Sequence, residues 1–317
     1  MPRSHYLLVP ISGQGVIVDP GMGDVLKASM VPPFGYTDVY LYSHGWWTRA
    51  EQAMIDYNRF IMGFAPFGIA QRTDDRPSLG LGVHWPSVVS EDSNALTTVL
   101  QPLTYFNRSK MADQVGTQGG YALLRLILEA RRDAGDKPPR LHLVGHSFGC
   151  KVVCSALEGI AETFAGTGLL DGLRVDLVLL QAAFDADAME PGKSYGRLFS
   201  AFPNLRVLAS KSKLDTAVGK EYVAVQRVMS LFLKTPTPGL GAAGPSAGTV
   251  AAAGGSAAAL QVGPGFVPPA PGSLGRLTVA DLTPLHEAHP ESGEVFAGHH
   301  ADVFHAEIYG LMTSFFA

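Results

Sequence analysis

The residues best suited to chemistry lie in the stretch 141–149, which reads LHLVGHSFG and ends in the pattern G-x-S-x-G around Ser147. A short apolar run precedes this pattern and an amphipathic helical pattern follows it. Ser147 is therefore predicted to occupy a sharp turn between a strand and a helix. A serine held at such a turn presents its hydroxyl at the edge of a sheet, where a neighbouring base activates it as a nucleophile.

The glycines on either side of Ser147 fit this interpretation. Side chains at Gly145 and Gly149 would collide where the strand and the helix nearly touch. The N-terminus of the following helix also favours negative charge that develops on a bound substrate. The competing interpretation is a glycine-rich turn with an ordinary serine, and the flanking strand and helix patterns favour the nucleophile.

A serine nucleophile needs a base, commonly a histidine that a carboxylate orients. On a strand-to-helix turn of this kind, the acid and then the histidine follow the serine along the chain. Asp215 comes after the predicted strand 205–210, whereas Asp185 and Asp187 come after the preceding strand. Asp215 is the preferred acid, with Asp185 and Asp187 as alternatives. A purely structural role for Asp215 would be the N-cap of a helix that begins at Thr216.

The candidate bases follow the last predicted strand and are His286, His289, His299, His300 and His305. His286 and His289 are interpreted as loop residues, and His305 falls inside the final helical pattern. His299 and His300 lie in the loop entering that helix, from which an imidazole can return over the sheet edge to the serine. His300 is the preferred base and His299 the alternative, with Asp302 expected to cap the helix.

An oxyanion hole needs two backbone N–H groups directed at the developing charge. One is expected from Phe148, directly after the serine. The other is expected from Trp46, in a His-Gly-Trp sequence after a predicted strand, where the glycine lets the backbone approach closely. His44 and His146 are interpreted as structural residues of the loop and the turn.

The elements that must position these residues alternate between strands and helices. Strand patterns occur at 6–10, 15–18, 38–43, 79–84, 141–145, 174–180, 205–210 and 277–281. Helical patterns occur at 49–64, 108–134, 149–164, 216–233 and 301–316. The alternation predicts an α/β fold with a mostly parallel eight-stranded sheet and helices on both faces. The first two strands alone are expected to form an antiparallel hairpin.

Residues 235–272 depart from this alternation, because they are almost wholly Ala, Gly, Pro and small polar residues. Such a composition buries little apolar surface, so a flexible insertion is predicted there. An inert surface excursion is favoured over a lid on the active site. Because a further strand and helix follow the insertion, residues 1–317 are predicted to form a single domain.

Composition excludes several classes of protein. The 317 residues are 46% hydrophobic and 16% charged, with a formal net charge of −4, which argues against a nucleic-acid-binding surface. There is no unbroken apolar run of about 18 residues, so no membrane span is expected. Cys150 and Cys154 are expected to pack as small apolar residues without a metal. The N-terminal apolar run is too short for a signal peptide, and a cytoplasmic protein is expected.

Five motifs together resemble the α/β-hydrolase superfamily, in particular uncharacterised microbial serine hydrolases of esterase and lipase type. They are SHGWW (43–47), HWPS (84–87), LVGHSFG (143–149), LDTAVGKEY (214–222) and HADVFHAEI (300–308). The resemblance implies an α/β-hydrolase fold with Ser147 as nucleophile, Asp215 as acid and His300 as base.

These residues predict a serine hydrolase that cleaves carboxylic esters through an acyl-enzyme, without a cofactor or metal, on a small-molecule ester or lipid. The alternatives are a lipase, peptidase or acyltransferase on the same residues, or a non-catalytic binding protein that keeps the fold. Trp46, Trp47, Trp85 and the run 60–67 either line an apolar acyl pocket or pack a helix against the sheet, and packing is favoured.

Overall fold

The structure, a computed structural model, describes residues 4–46, 48, 50–64, 77–87, 101–223, 237–293 and 298–317. Its strands are β1 (Ser4–Pro10), β2 (Asp38–Ser43), β3 (Ser78–His84), β4 (Arg140–His146), β5 (Arg174–Leu180), β6 (Asn204–Lys211), β7 (Ala258–Gln261) and β8 (Leu277–Asp281). Its α-helices are α1 (Met22–Met30), α2 (Ala50–Gly63), α3 (Gln101–Val115), α4 (Tyr121–Asp133), α5 (Gly149–Phe164), α6 (Leu198–Ala201), α7 (Leu240–Ala243), α8 (Ala247–Ala252), α9 (Thr283–Ala288) and α10 (Ala306–Phe316). Shorter turns are π-helical at Gly116–Gly120 and Ala217–Glu221 and 3-10 at Pro290–Ser292.

The strands form one sheet in the order β1-β3-β2-β4-β5-β6-β8-β7, and every neighbouring pair is parallel. Helices α1, α4 and α5 pack on one face, and α2 and α10 pack on the other. The predicted α/β fold class is therefore confirmed. Because the strands are parallel, the carboxyl ends of β4, β6 and β8 lie at one edge of the sheet. Within the described ranges, no helix is long and apolar enough to cross a membrane.

Seven of the predicted strands are present to within two residues at either end, but the strand predicted at 15–18 is wrong. This stretch makes an isolated antiparallel bridge between Ile11 and Ile17 instead of a hairpin. Val16 and Val18 are about 60% exposed, so the alternating apolar residues of this stretch do not pack into the core as those of a half-buried strand would. Helix α1, which the sequence did not predict, follows directly and buries Met22, Leu26 and Met30.

The Ala/Gly/Pro-rich segment also differs from its prediction, because its residues 237–272 contain α7, α8 and the edge strand β7. Backbone hydrogen bonds hold this segment to the residues that follow β5 and β6. Gly241 N–H donates to Ala182 O at 3.0 Å, and Ser212 N–H donates to Gly241 O at 2.9 Å. A Cβ on Gly241 would lie 2.5 Å from the carbonyl carbon of Gln181. Small residues thus permit a close backbone approach that a composition argument does not foresee. The flexibility of the segment stays a prediction.

A row of polar side chains crosses the middle of the sheet under the end of α10. Tyr40, His142, Asp176 and Arg206 are direct neighbours in register on β2, β4, β5 and β6. The two nitrogens of His142 lie 3.1 Å from Asp38 Oδ1 and 2.9 Å from Asp176 Oδ2, and all three side chains are almost fully buried. Burial raises the pKa of Asp176, but hydrogen bonds from His142 and Arg206 outweigh it and leave the pKa below its ordinary value.

We expect Asp176→Asn to lower the free energy of unfolding by about 3 kcal/mol, because the fully buried Asp176 carboxylate is the charge that both the buried His142 and the partly buried Arg206 contact. Urea denaturation at neutral pH measures the change. The control is Asp171→Asn, an exposed residue in the turn before β5, which should change stability by less than about 0.5 kcal/mol. Equal stability of the two variants would show that the buried row contributes little.

Candidate active site

Ser147 lies at the tip of a sharp turn between β4 and α5. Its φ is +56°, in the left-handed region that residues with side chains rarely adopt. The turn closes because three glycines permit contact: a Cβ on Gly145 would lie 2.5 Å from Cys150, and one on Gly149 would overlap the carbonyl oxygen of Ser43. A Cβ on Gly45 would lie 2.8 Å from Ser147 Cβ. The predicted strand, turn and helix are therefore all present.

Three residues predicted from the sequence meet at the carboxyl edge of the sheet. Ser147 Oγ lies 2.7 Å from His300 Nε2, and His300 Nδ1 lies 2.8 Å from Asp215 Oδ2. Asp215 is 1% exposed, and its other carboxylate oxygen accepts a hydrogen bond from Val218 N–H at 3.0 Å. The imidazole is thus held between a hydroxyl and a buried carboxylate, an arrangement that lets it accept the hydroxyl proton.

The alternative acids are engaged elsewhere. Asp185 accepts a hydrogen bond from the Tyr222 hydroxyl at 2.5 Å, and Asp187 pairs with Lys193 at 2.6 Å. Asp215 is the carboxylate that contacts His300. Asp215, the acid preferred from its place after the predicted strand 205–210, is therefore the one that contacts the imidazole of His300.

The loop after β2, which carries the predicted oxyanion donor Trp46, lies against the turn. The indole ring of Trp46 and the ring of Phe148 are 6.0 Å apart between centroids. His44 fixes this loop, because its Nδ1–H donates to Gly45 O at 2.8 Å and its Nε2 accepts from Trp85 N–H at 3.3 Å. Burial lowers the pKa of His44 to about 3, so the imidazole is neutral and serves a structural role, as the sequence suggested.

The loop that carries His300 is tied to the loop that carries Asp215. Asp215 and Gly298 form an antiparallel bridge, and His299 N–H donates to Leu214 O at 3.1 Å. Gly298 has a φ of +59°, and a Cβ there would overlap Leu214 O. This pairing sets the distance between the acid and the imidazole through the backbone.

His146 provides a second tie that the sequence did not predict. Its Nε2–H donates to the backbone carbonyl of His300 at 2.8 Å, across 154 positions of sequence. Burial, and then the neighbouring His300, lower the pKa of His146 to about 3, so it donates as a neutral imidazole. His146, directly before Ser147 in the chain, therefore anchors the backbone of His300, whose imidazole contacts Ser147.

Three of the other candidate histidines, His286, His299 and His305, form a cluster centred on Asp302. Asp302 does not cap α10, because the N-cap residue is His305. The Asp302 carboxylate accepts hydrogen bonds from His299 Nδ1 at 3.1 Å, His305 Nε2 at 2.6 Å and the Ser292 hydroxyl at 2.5 Å. His286 donates to the Asp302 carbonyl at 3.0 Å and stacks on His299. The three-residue spacing of His299, Asp302 and His305 is the one sequence signal of this cluster. Among the described residues, no group of His, Cys, Asp or Glu is placed to hold a metal ion.

The aromatic residues considered for an acyl pocket divide into two groups. Trp85 is fully buried and stacks on His44, while Phe60 and Phe64 pack in the core between α2 and the sheet. Trp46 is partly exposed beside the turn. Trp47 and residues 65–67 lie outside the described residues. Packing thus accounts for Trp85, Phe60 and Phe64, and Trp46 remains as a partly exposed aromatic residue in the loop beside the turn.

Comparison with known proteins gives little beyond this geometry. No protein-family model matches the chain, and no curated protein matches it. Among solved structures it is similar to phospholipase PlaB from Legionella pneumophila in complex with thio-NAD, at 11% sequence identity and a TM-score of 0.31. The similarity covers 71% of this chain and 46% of the phospholipase chain. A match at this level gives no information about activity, which depends on the site itself.

We expect Gly298→Ala to destabilise the protein more than Gly166→Ala does. Both positions have a positive φ, so each alanine costs about 1 kcal/mol of backbone strain. A Cβ on Gly166 meets open space, whereas one on Gly298 overlaps Leu214 O and adds about 2 kcal/mol of steric cost. Urea denaturation of both variants measures the difference, and an equal loss would mean that the contact between the two loops relaxes freely.

The Asp302 cluster should make stability depend on pH. Burial raises the pKa of Asp302, but hydrogen bonds from His305, Ser292 and His299 together bring it well below its ordinary value. Asp302 therefore adds stability above about pH 4, and this stability is lost as the pH falls through the lowered pKa. The hydrogen bond to Asp302 raises the pKa of His305, and burial opposes it. His305 adds stability below about pH 6.5, which is lost as the pH rises through the raised pKa.

We predict that Asp302→Asn lowers the free energy of unfolding by about 2 kcal/mol between about pH 4 and pH 6.5, where both partners are charged. The loss should be smaller at about pH 9, where His305 is neutral. Urea denaturation at about pH 5 and pH 9 measures it, with the exposed Asp133→Asn as control. The same loss at both pH values would exclude an ion pair with His305.

Proposed function

We propose that the protein is a serine hydrolase of the α/β-hydrolase superfamily, folded as a single domain over residues 1–317, and that it cleaves carboxylic esters. One observation carries the proposal: Ser147 Oγ, His300 and Asp215 form a continuous hydrogen-bonded series with contacts of 2.7 and 2.8 Å. The turn that presents Ser147 supports it, since a positive φ at a residue other than glycine marks a position held for a purpose beyond packing.

In the first half of the reaction, Ser147 Oγ attacks the ester carbonyl carbon while His300 Nε2 takes the hydroxyl proton. The imidazolium that forms keeps its Nδ1–H directed at the Asp215 carboxylate, which stabilises the positive charge. The tetrahedral intermediate then expels the alcohol, which receives its proton from His300. The product of this half is an acyl group on Ser147.

In the second half, His300 removes a proton from water, and the resulting hydroxide attacks the acyl carbonyl. Collapse of this intermediate releases the carboxylic acid and returns the proton to Ser147. We assign the oxyanion of both intermediates to the backbone N–H groups of Trp46 and Phe148. The support is the closeness of the Gly45 backbone to Ser147 and of the two aromatic rings to each other.

The proposed substrates are small-molecule or lipid esters with an apolar acyl group. Trp46, partly exposed beside Ser147, offers an apolar surface to such a group. The proposed mechanism uses no cofactor, because His300 carries each proton transfer and the buried Asp215 carboxylate orients the imidazole and stabilises its charged form.

The test is labelling of the purified full chain with a fluorophosphonate, which reacts with activated serines. We expect wild-type labelling to disappear in Ser147→Ala and to slow by at least about 100-fold in His300→Ala, because the hydroxyl loses its base. His299→Ala, which removes the alternative base, should slow labelling by less than about tenfold. Hydrolysis of p-nitrophenyl esters of short, medium and long acyl chains then defines the preferred substrate.

His289→Ala serves as the matched control, since His289 is exposed and pairs with Glu291. Its labelling rate should equal that of the wild type. Persistent labelling of Ser147→Ala would place the reactive residue elsewhere. Failure of the wild type to label would favour a binding protein that keeps the fold.

A further inference from the structure

An open cleft of about 740 Å³ lies at the amino-terminal edge of the sheet. Its walls come from the segments that enter β4, β5, β6 and β8. Ser147 follows the carboxyl end of β4, a strand of seven residues. At a rise of roughly 3.3 Å per residue, the cleft lies roughly 20 Å from the hydroxyl of Ser147. The two sites are therefore separate.

The cleft is strongly basic although the chain as a whole has a formal net charge of −4. The cationic residues that line it are Lys137, Arg140, Arg174, Arg206 and Arg276. No Asp or Glu is among the described residues that line it. These cations come from four separate segments of the chain, so the fold, and not a local run of charge, brings them together.

Carboxylates of the described residues neutralise only part of this positive charge. Arg206 and Arg174 lie 2.7 and 3.7 Å from the buried carboxylate of Asp176. Lys137, Arg140 and Arg276 form no ion pair with any residue in the described part of the chain. Even if a carboxylate at Ala317 is counted, positive charge remains in excess. Like charges gathered in a cleft create a field that attracts anions.

The arginines are held by rigid elements. Arg140 and Arg174 are the first residues of β4 and β5, and Arg276 directly precedes β8. Backbone hydrogen bonds fix them, with Arg140 N–H donating to Thr37 O at 2.8 Å and Val207 N–H donating to Arg276 O at 2.8 Å. Pro138, Pro139 and Pro203 also line the cleft, and their fixed φ angles stiffen two of its loops. The backbone positions from which these cationic side chains extend are therefore fixed by the sheet and its loops.

Arg276 adds a second observation. Its guanidinium donates to the carbonyl oxygens of Phe199 and Phe202, yet its Nε is buried and meets no acceptor among the described residues. A buried charged donor without an acceptor is costly. Arg276 also lines the cleft, where no Asp or Glu of the described residues offsets its charge.

We propose that this cleft binds a small molecule that carries more than one phosphate group. Guanidinium groups offer planar forks of N–H donors that match phosphate oxygens, and the several uncompensated cations suit a ligand with several negative charges. The volume lies in the range of small-molecule sites. The proposal goes beyond the hydrolase function and does not depend on it.

The test is isothermal titration calorimetry of the full chain with inorganic pyrophosphate at low and moderate salt. We expect binding that weakens as salt rises. The double variant Lys137→Gln/Arg140→Gln should bind at least about tenfold more weakly, because it removes two cations of the cleft that make no ion pair with any described residue. The matched control is Arg125→Gln/Arg132→Gln, which removes two positive charges from the exposed side of α4. Circular dichroism checks that both variants fold.

Unchanged pyrophosphate affinity in the control, with loss in the cleft variant, supports the site. Equal affinity in both variants, or no binding by the wild type, overturns it. Sedimentation with phosphatidylcholine vesicles that contain phosphatidic acid separates a free ligand from a lipid headgroup. If the vesicles bind through Lys137 and Arg140 while pyrophosphate does not, the phosphate is recognised at a lipid surface and the small-molecule proposal fails.

Discussion

The backbone at Ser147 is the constraint on which the rest of the site depends. Among the described residues, Ser147 and Gln181 are the non-glycine residues with a positive φ, and both lie at the carboxyl edge of the sheet. Each such conformation costs about 1 kcal/mol or more, so the surrounding structure must fix it. It does so through hydrogen bonds from Ser147 N–H to Leu180 O and from Ala183 N–H to Ser147 O. The strand β5 thereby holds the turn that follows β4, and the hydroxyl position follows from the sheet.

A rigid serine is useful only if the imidazole is equally well placed, and His300 lies on a loop. The structure compensates with contacts from three directions. The loop of Asp215 pairs with Gly298, His146 holds the carbonyl of His300, and the Asp302 cluster fixes the following residues to α9 and α10. The backbone before, at and after His300 is thus restrained separately, which gives a loop residue the precision that a strand would provide.

The sequence predicted the parts of this site that depend on local pattern and chain order. Helix α5 begins and ends at the predicted residues 149 and 164, because glycines, apolar periodicity and the preceding strand all agree there. Ser147, Asp215 and His300 could be chosen because parallel strands deliver their carboxyl ends to one edge. The contact of His146 with His300 could not be predicted, since it joins residues 154 positions apart and follows from no periodicity. β7 could not be predicted either, since its residues carry no clear strand pattern and gain their order from backbone pairing with β8.

Helix α10 has one end at the carboxyl edge of the sheet and the other at its amino-terminal edge. Its N-terminal end follows the loop of His300 and is held by the bond between His305 and Asp302, while at its other end Arg206 lies over the Phe315 ring and Arg174 donates to Ala317 O at 2.6 Å. Between them, the apolar face of α10 packs on the sheet, and Phe316 at the C-terminal end of the helix contacts His142 of the buried row. Both ends of one helix are therefore held by charged groups, and its middle by apolar packing. The helix that supports the loop of His300 is therefore also the helix whose C-terminal end contacts Arg174 and Arg206 of the basic cleft.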